Sequence, residues 1–362
     1  MTYLAFLEGT GRRGERGMEN IYDILTLLKC SKPKAVLATI IEVEGSSYRK
    51  EGTSMLLLEN GEKAGVLSAG CLEEDLFQRA ADFFGTSKSA TFTFNMKSED
   101  DLLWGTGAGC NGIIHVLVQG IDEKLRKHLL TLGEFLKHGK TVTVVKKITH
   151  DLRVSHYLFI SEDEYVFGEW EGAVSPNVKK LMLYGKEKSG VAFFNEHASY
   201  VYVHCFYPKP RLLLFGGGED AIPLARLAAQ TGFSVTVTDW RRNYCHREAF
   251  PLADELIVSF PHEVINKMAI QSKDFVVILT HNFQRDQEIL SLLGKKQLQY
   301  VGLLGSANRT KRLFEGREVP PYIYSPVGLS IGAEGPEEIA VSIVAQLVQQ
   351  QRLAVRESRT SA

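Results

Sequence analysis

The sequence predicts an α/β protein with a C-terminal Rossmann-like parallel-sheet domain and an N-terminal mixed α+β domain. Its 362 residues exceed the ~250–300 residues at which a single hydrophobic core stops growing. Pro208 and Pro210 interrupt the chain, so a domain boundary is expected near residue 207. Beyond it, short apolar runs alternate with helical segments, as in a parallel sheet. We therefore predict domains over residues 18–207 and 208–355.

Composition and charge exclude two classes of partner. With a formal net charge of -1, the chain lacks the basic excess that would neutralise a nucleic-acid backbone. No apolar run approaches the ~18–20 residues that span a bilayer, and the N-terminus lacks the apolar core of a signal peptide. We expect a cytoplasmic protein that binds neither nucleic acid nor membrane, with an unstructured leader before Met18, where translation can also begin.

The N-terminal domain alternates helix and strand signals. A helix is predicted over residues 18–30, and the β-rich run KAVLATIIEVEG predicts a strand that ends at Gly45. In SMLLLENGEKAGVLSAG, the Asn60-Gly61 pair predicts a hairpin of two strands. In CLEEDLFQRAADFF, apolar residues at helical spacing predict a helix that begins beside Cys71. A middle segment follows, with the helix DEKLRKHLLTLGEFLKHGK and the strands TVTVVKKI and HYLFI, and this segment shows no catalytic spacing.

The thiol of Cys71 is the first chemical feature of interest. The five cysteines stand at wide, unequal spacings, which argues against a disulfide framework and a structural zinc site. At the start of a helix, the helix dipole favours the thiolate, so Cys71 would be a good nucleophile or soft-metal ligand. The alternative is a packed structural thiol. Cys30, Cys205 and Cys245 stand in apolar or aromatic company and are expected to be small buried hydrophobes.

A glycine-rich stretch carries a second thiol. In DDLLWGTGAGCNGIIHVLVQG, Cys110 follows Gly107 and Gly109, and IIHVLV predicts a strand. Glycines free the backbone, so the amides of this loop can point at an anion. The alternative is a tight turn, since glycines alone specify flexibility and no ligand.

The segment RLLLFGGGEDAIPLARLAAQTGFSVTVTDWR predicts the βαβ unit of a dinucleotide-binding fold. Gly216 and Gly218 allow close backbone approach to a pyrophosphate, and Asp239 ends the second strand where a ribose hydroxyl would bind. Glu219 and Asp220 are expected in the first helical turn, where they would repel a pyrophosphate. The spacing therefore predicts the fold more firmly than the ligand.

Polar residues follow the later strands ELIVSF, DFVVILT and YVGLLGS, at the edge where parallel sheets bind ligands. His281 comes directly after one of them, either as a site residue or as a loop cap. Arg309, Lys311 and Arg312 form either an exposed helix face or an anion clamp. A final helix is predicted to begin at Pro336.

Several separated motifs stand along the chain: GSSYRKEGTSM (residues 45–55), AGCLEE (69–74), WGTGAGC, THNFQRD, YVGLLGS and PVGLSIGAEGPEEIAVSI. In this order, they together resemble the XdhC/CoxI family of molybdenum-hydroxylase accessory proteins. The similarity runs from about residue 20 to about residue 350. One departure is Glu219, which stands where family members often carry the histidine of a G-x-G-H turn, so a role for that position and nucleotide binding are in doubt.

The resemblance implies a non-catalytic chaperone that binds molybdenum cofactor, helps its sulfuration with a cysteine desulfurase and delivers it to a xanthine dehydrogenase-type hydroxylase of purine catabolism. It implies that Cys71 and Cys110 are metal ligands. The residues implied to contact pterin or phosphate are Gly45, Ser46, Ser47, Arg49, Gly107 and Gly109. The alternative for GSSYR is a serine-capped turn with a surface arginine.

Two other functions compete with this one. An NAD(P)-dependent oxidoreductase would use Gly216, Gly218, Asp239 and His281, although no hydride-transfer acid/base pair is evident. A scaffold subunit of the hydroxylase would hold no cofactor. A symmetric homodimer is the general expectation for an oligomer.

Overall fold

A computed structural model describes residues 21–68, 72–95, 112–179, 189–194, 199–294, 296 and 298–360. The chain divides into two compact units, Met1–Pro208 and Lys209–Ala362. The predicted fold class, a Rossmann-like parallel sheet after an N-terminal mixed α+β part, is confirmed. The predicted domain limits, residues 18–207 and 208–355, stay a prediction.

The described part of the N-terminal unit contains two antiparallel sheets. The first sheet has the order β3-β2-β1-β5-β4, with β1 (Ala35–Gly45), β2 (Ser54–Leu58), β3 (Lys63–Ala64), β4 (Ser89–Asn95) and β5 (Gly112–Ile121). The second sheet has the order β8-β7-β6-β10-β9, with β6 (Val142–Ile148), β7 (Val154–Ser161), β8 (Val166–Glu169), β9 (Gly190–Phe194) and β10 (Ser199–Phe206). The helices are α1 (Ile21–Cys30), α2 (Glu73–Arg79) and α3 (Glu123–Lys137).

Both faces of the first sheet are covered. Leu37 of β1 packs with apolar residues of α1 and α3, whereas Ile40 of the same strand packs on the other face with Leu76 of α2. The hairpin predicted at Asn60-Gly61 forms as β2 and β3. Its second strand has only two residues, and Gly65, which follows it, has φ +89° and lies against β2, where a side chain would meet the Ser54 carbonyl oxygen at 2.5 Å.

Arg126 joins α3 to the end of α1. Its Nη1 donates hydrogen bonds to the carbonyls of Leu28 (2.7 Å) and Ser31 (3.1 Å), and its Nη2 donates to the carbonyl of Pro33 (3.1 Å). The last carbonyls of a helix have no partner within the helix, so a cation there satisfies them.

We expect Arg126→Ala to lower the free energy of unfolding of the N-terminal unit by about 2 kcal/mol, because carbonyls at the end of α1 lose charged donors. Urea denaturation measures the change. Lys127→Ala, an exposed neighbour on the same helix, is the matched control and should leave the midpoint nearly unchanged. Equal midpoints for the two variants would contradict this role for Arg126.

The C-terminal unit is built on a parallel six-stranded sheet. Its strands are β11 (Arg211–Phe215), β12 (Ser234–Asp239), β13 (Glu255–Val258), β14 (Phe275–Ile278), β15 (Tyr300–Leu303) and β16 (Ile323–Tyr324), in the order β13-β12-β11-β14-β15-β16. This is the 3-2-1-4-5-6 strand order of Rossmann folds. The helices are α4 (Ala221–Gln230), α5 (Pro261–Lys267), α6 (Phe283–Leu293), α7 (Ala307–Leu313) and α8 (Gly335–Thr360).

Adjacent residues of β11 point to opposite faces of this sheet, and helices cover both faces. Leu214 packs with residues of α4 and α8, including Ala225 and Ile343. Leu213 packs on the other side with residues of α5, α6 and α7, including Ile289. Within the described residues, no helix is both long and apolar enough to cross a membrane.

Candidate functional sites

The glycine–serine loop, residues 46–53, leaves the first sheet where β1 and β5 end their pairing. Gly45 of β1 is the register partner of Gly112 of β5. A side chain at Gly112 would overlap the carbonyl oxygen of Ser46, so glycine is required there by the close approach of the loop. Gly112 stands two residues after Cys110, whose loop, with Gly107 and Gly109, lies outside the described residues.

The glycine–serine loop presents polar groups to its surroundings. Ser46 is exposed, and Ser47 and Arg49 are partly buried. Arg49 Nε is buried, and none of the described residues accepts a hydrogen bond from it. The Arg49 guanidinium lies 5.2 Å from the ring centroid of Tyr48, which is itself 60% exposed. A buried donor without an acceptor is costly, and an anionic ligand would relieve that cost.

A buried carboxylate organises the chain on both sides of Cys71, which itself lies outside the described residues. Glu73 is 5% exposed. Its Oε1 accepts hydrogen bonds from the amides of Ser68 (2.9 Å) and Leu67 (3.3 Å), and its Oε2 accepts one from the Ser68 hydroxyl (2.6 Å). The amide of Leu72 donates to Ser68 Oγ (3.1 Å). The glutamate of the AGCLEE motif therefore braces residues 67–68 and 72–73, the glutamate-braced turn, which flank Cys71.

The pKa of Glu73 reflects this bracing. Burial acts to raise the pKa of the carboxyl, but the hydrogen bonds from Ser68 and Leu67 outweigh burial, and the pKa lies below its ordinary value of 4.5. The carboxylate is thus held ionised. Sequence reasoning did not select Glu73 as a site residue, although it stands inside the motif that carries Cys71.

The two thiol-bearing segments are anchored on one apolar cluster. Leu67 and Leu72 lie on either side of Cys71, and both belong to the cluster on the α2 face of the first sheet. Ile114, just after Gly112, belongs to the same cluster, and Val43 packs against it. The described ends of both segments therefore share one face of the sheet. Within the described residues, no group of three His, Cys, Asp or Glu side chains could hold a metal ion.

In the C-terminal unit, the three glycines after β11 differ in what requires them. Gly216 has φ +117°, and a side chain there would meet the Leu279 carbonyl oxygen at 2.5 Å. A side chain at Gly217 would overlap the carbonyl oxygen of Tyr244. Gly218 is different, because a side chain there would meet nothing within 4 Å. Packing of the chain explains the first two glycines, and only Gly218 borders open space that a ligand could use.

Asp239 ends β12 as predicted, but its carboxylate is already engaged. Oδ2 accepts hydrogen bonds from the Gly217 amide (2.9 Å) and from Arg241 Nη2 (2.8 Å), while Oδ1 accepts from Arg241 Nε (2.9 Å) and from the Arg241 amide (2.8 Å). Burial acts to raise the pKa of Asp239, but these hydrogen bonds and the Arg241 charge lower it overall. A ribose hydroxyl could bind Asp239 only by displacing Arg241, so that role stays a prediction.

His281 pairs with Asp220 at the carboxyl edge of the parallel sheet. His281 Nε2 lies 2.7 Å from Asp220 Oδ2, and His281 has φ +55°, which is unusual for a residue other than glycine. The expectation that Glu219 and Asp220 fill the first helical turn is wrong, because α4 begins at Ala221. Asp220 occupies the N-cap position, and its side chain binds His281 rather than a backbone amide. This pair lies beside the reversal of strand order between β11 and β14.

Arg309, considered above as either surface residue or anion clamp, forms an internal ion pair. Its Nη2 lies 2.5 Å from Oδ2 of Asp286, whose side chain is 1% exposed. The hydroxyl of Thr280 donates to the same carboxylate at 2.5 Å. Asp286 thus ties the end of β14 to α7 and fixes the backbone next to His281. Sequence reasoning missed Asp286, which looks like an ordinary acidic residue in the first turn of a helix.

The fold and these sites define a protein in which an antiparallel unit with a glycine–serine loop and a glutamate-braced turn precedes a Rossmann unit. Three family models match in that order: "XdhC and CoxI family" at residues 31–95, "BH1974-like, central domain" at residues 123–207, and "XdhC Rossmann domain" at residues 212–347. The chain belongs to the XdhC and CoxI family.

Known relatives agree with this assignment. The chain is 47% identical over 339 residues to a protein of Bacillus subtilis named as a probable xanthine dehydrogenase subunit, covering 93% of this chain and 100% of that protein. It is 23% identical over 322 residues to the molybdenum cofactor insertion chaperone PaoD of Escherichia coli, covering 86% of this chain and 82% of PaoD.

A crystal structure described as a xanthine dehydrogenase from Bacillus halodurans matches with a TM-score of 0.81 and 46% identity, over 92% of this chain and 96% of that one. This protein is therefore an accessory protein of the XdhC family, related to proteins named for xanthine dehydrogenase and for molybdenum cofactor insertion.

Proposed function

We propose that this protein is a chaperone that binds molybdenum cofactor as cargo, assists its sulfuration and inserts it into a xanthine dehydrogenase-type molybdenum hydroxylase. The observation that carries the proposal is the common anchoring of the glutamate-braced turn and the Gly45–Gly112 pair on one apolar cluster. This anchoring supports convergence of Cys71 and Cys110, although both thiols lie outside the described residues. The name of PaoD, as an insertion chaperone, adds support from a relative.

The residues of the N-terminal unit suit the chemistry of this cargo. The cofactor is a pterin dithiolene with a phosphate group and an oxidisable metal. Thiolates of Cys71 and Cys110 are soft ligands suited to the metal. Arg49, whose buried Nε has no acceptor among the described residues, can make a charge-assisted contact with the phosphate. Ser46 and Ser47 add hydroxyl donors, and Gly45 lets the loop turn at φ +85°.

The remaining parts of the proposal concern partners and setting. A cysteine desulfurase is proposed as the sulfur donor, and the chaperone is proposed to act as a cytoplasmic homodimer in purine catabolism. The xanthine dehydrogenase names of two relatives support a hydroxylase of that type as the recipient. Co-purification of the tagged chain with the hydroxylase and the desulfurase tests both partners, and light scattering tests the dimer.

Anaerobic equilibrium binding of molybdenum cofactor tests the role of the thiols. We expect Cys71→Ala and Cys110→Ala each to weaken binding by at least about tenfold, since even outer-shell changes at metal sites cost that much. Cys30→Ala is the matched control, because it removes a free thiol at the end of α1 that is exposed, although the sequence predicted it to be buried like Cys205 and Cys245. Wild-type affinity in both Cys71→Ala and Cys110→Ala would overturn the assignment of these thiols.

The strand order of the C-terminal unit and the open space at Gly218 favour a second candidate, an NAD(P)-dependent oxidoreductase. Titration with reduced nicotinamide cofactor and a fluorescence readout distinguishes the two functions. Turnover of bound NAD(P)H without molybdenum cofactor binding would favour the oxidoreductase. Stable co-elution with the hydroxylase, with neither ligand bound, would favour the scaffold role.

A further inference from the structure

The guanidinium of Arg241 is held rigidly at the edge of the Rossmann unit. Its Nε and Nη2 donate to the two oxygens of Asp239, and its Cζ lies 3.9 Å from the ring centroid of Tyr244 and 4.6 Å from that of Trp240. The Asp239 side chain is 0% exposed, whereas the Arg241 side chain is 37% exposed. The carboxylate therefore faces inward, and the part of the pair that is open to solvent is Arg241, whose Nη1 binds none of the described residues.

This edge is next to the glycine turn, residues 216–218, which follows β11. The same Asp239 oxygen that binds Arg241 Nη2 accepts the hydrogen bond from the Gly217 amide, so a single carboxylate separates Arg241 from the turn. Arg242, the next residue, is exposed. Arg285 lies 5.7 Å from the ring centroid of Trp240 and is ion-paired with Glu288 at 2.7 Å. The surface thus offers one fixed cationic donor, Arg241, with aromatic rings and a second exposed arginine, Arg242, beside it.

We propose that this edge recognises a phosphate on the ribose of a nucleotide bound at the glycine turn, that is, a 2′-phosphorylated nucleotide such as NADPH in preference to its unphosphorylated counterpart. A ribose diol needs a carboxylate acceptor, and Arg241 and Gly217 occupy the oxygens of Asp239. A phosphate needs donors, and a guanidinium pre-oriented by a carboxylate and by stacked rings offers them in a fixed geometry.

The inference goes beyond the proposed function. The cargo residues belong to the N-terminal unit, and the Arg241 edge belongs to the C-terminal unit. Each proposal can therefore fail without the other.

Calorimetric titration of the full-length protein tests the inference with two probes that differ only in the 2′-phosphate, adenosine 2′,5′-bisphosphate and adenosine 5′-monophosphate. We expect the bisphosphate to bind at least about tenfold more tightly. Inorganic phosphate is the third probe and should bind far more weakly than the bisphosphate. Equal affinities for the two nucleotides, or no binding of either at millimolar concentration, would overturn the proposal. Inorganic phosphate binding as tightly as the bisphosphate would exclude a nucleotide site.

Two variants locate the effect. Arg242→Ala removes an exposed charge and should weaken the bisphosphate several-fold while leaving the monophosphate nearly unchanged. The double variant Asp239→Asn, Arg241→Gln keeps a neutral pair of similar shape, and the preference for the 2′-phosphate should disappear. Arg226→Ala, an exposed arginine on α4, is the control. Retention of the full preference in the double variant would show that Arg241 does not read the phosphate.

Discussion

Replacement of Glu73 by alanine is expected to lower the free energy of unfolding of the N-terminal unit by about 3 kcal/mol. The loss follows from the position of the carboxylate, which is 5% exposed and accepts hydrogen bonds from two amides and one hydroxyl. Without it, the amides of Leu67 and Ser68 remain in a buried turn without their acceptor. Under the proposed function, the same variant should also weaken cofactor binding, because the described residues on either side of Cys71 lose the carboxylate that connects them.

Urea denaturation measures the loss of stability, and Glu74→Ala is a closely matched control. Glu74 is the next residue of the same helical turn, and it is exposed. A surface carboxylate of this kind contributes little, so Glu74→Ala should change the free energy of unfolding by less than about 0.5 kcal/mol. If Glu73→Ala were as mild as Glu74→Ala, the hydrogen bonds of Glu73 would not be an important source of stability.

The pH dependence of Glu73 has a definite sign. Its pKa in the folded chain lies below the ordinary 4.5, so its contribution is fully present above about pH 4.5. The contribution is lost as the pH falls through the lowered pKa of the folded state. The difference in stability between wild type and Glu73→Gln should therefore shrink in acid. A difference that stayed constant from pH 6 to pH 3 would contradict the ionised, hydrogen-bonded carboxylate.

The Rossmann unit could be predicted from the sequence because its signals are local. A buried strand, a glycine turn, a helix and a second strand ending in Asp239 follow one another within about 30 residues, the length of one βαβ unit. Apolar runs later in the chain then predict further parallel strands, and the observed order β13-β12-β11-β14-β15-β16 agrees with them.

The bonding state of Asp239 could not be predicted in this way. The pattern identifies a carboxylate at a strand end, but it does not say which donors reach that carboxylate. Arg241 is only two residues away, and its bidentate contact depends on the turn after β12. The same holds for Asp220. An acidic residue beside the start of a helix is expected to interact with the helix dipole, but the Asp220 side chain pairs with His281, which is distant in the sequence.

The N-terminal site was only partly accessible to sequence reasoning for a related reason. The family-like motifs in the sequence include Cys71 and the glycine–serine loop. That both are anchored on one apolar cluster, however, depends on long-range strand pairing. Gly45 and Gly112 are far apart in the chain and become partners only when β1 pairs with β5. No short turn joins these two strands, so their register depends on which residues each strand buries on the two faces of the sheet.

Substitution of Lys146 is the second change expected to have a large effect on stability. The sequence pattern predicts a strand there but does not single out this lysine. It stands beside Lys147 in the run TVTVVKKI, and side-chain alternation alone does not say which of the two lysines points inward. In the structure Lys146 is 5% exposed, and its Nζ donates to Oε1 of Gln119 on β5 at 2.8 Å. Burial lowers the pKa of Lys146 from 10.5 to about 8.

The lowered pKa makes Lys146 a pH-dependent source of instability. Folding disfavours the protonated amine, so the cost is fully present below about pH 8 and is relieved as the pH rises toward 10.5, where the unfolded chain also loses the proton. The shift from 10.5 to about 8 corresponds to about 3 kcal/mol. We expect Lys146→Met to be more stable than wild type at pH 7 by about 1–2 kcal/mol, because relief of this cost exceeds the lost hydrogen bond to Gln119.

The difference between the two stability curves separates the effect of Lys146 from the other groups that titrate in alkali. The advantage of Lys146→Met should diminish between pH 8 and pH 10.5 and should then reverse, because a neutral amine still binds Gln119 and methionine cannot. Lys147→Met, the same substitution at the more exposed neighbour on β6, controls for the general effect of removing a lysine. An advantage of Lys146→Met that did not change with pH would mean that packing by the methionine side chain, and not the buried charge, determines the stability at this position.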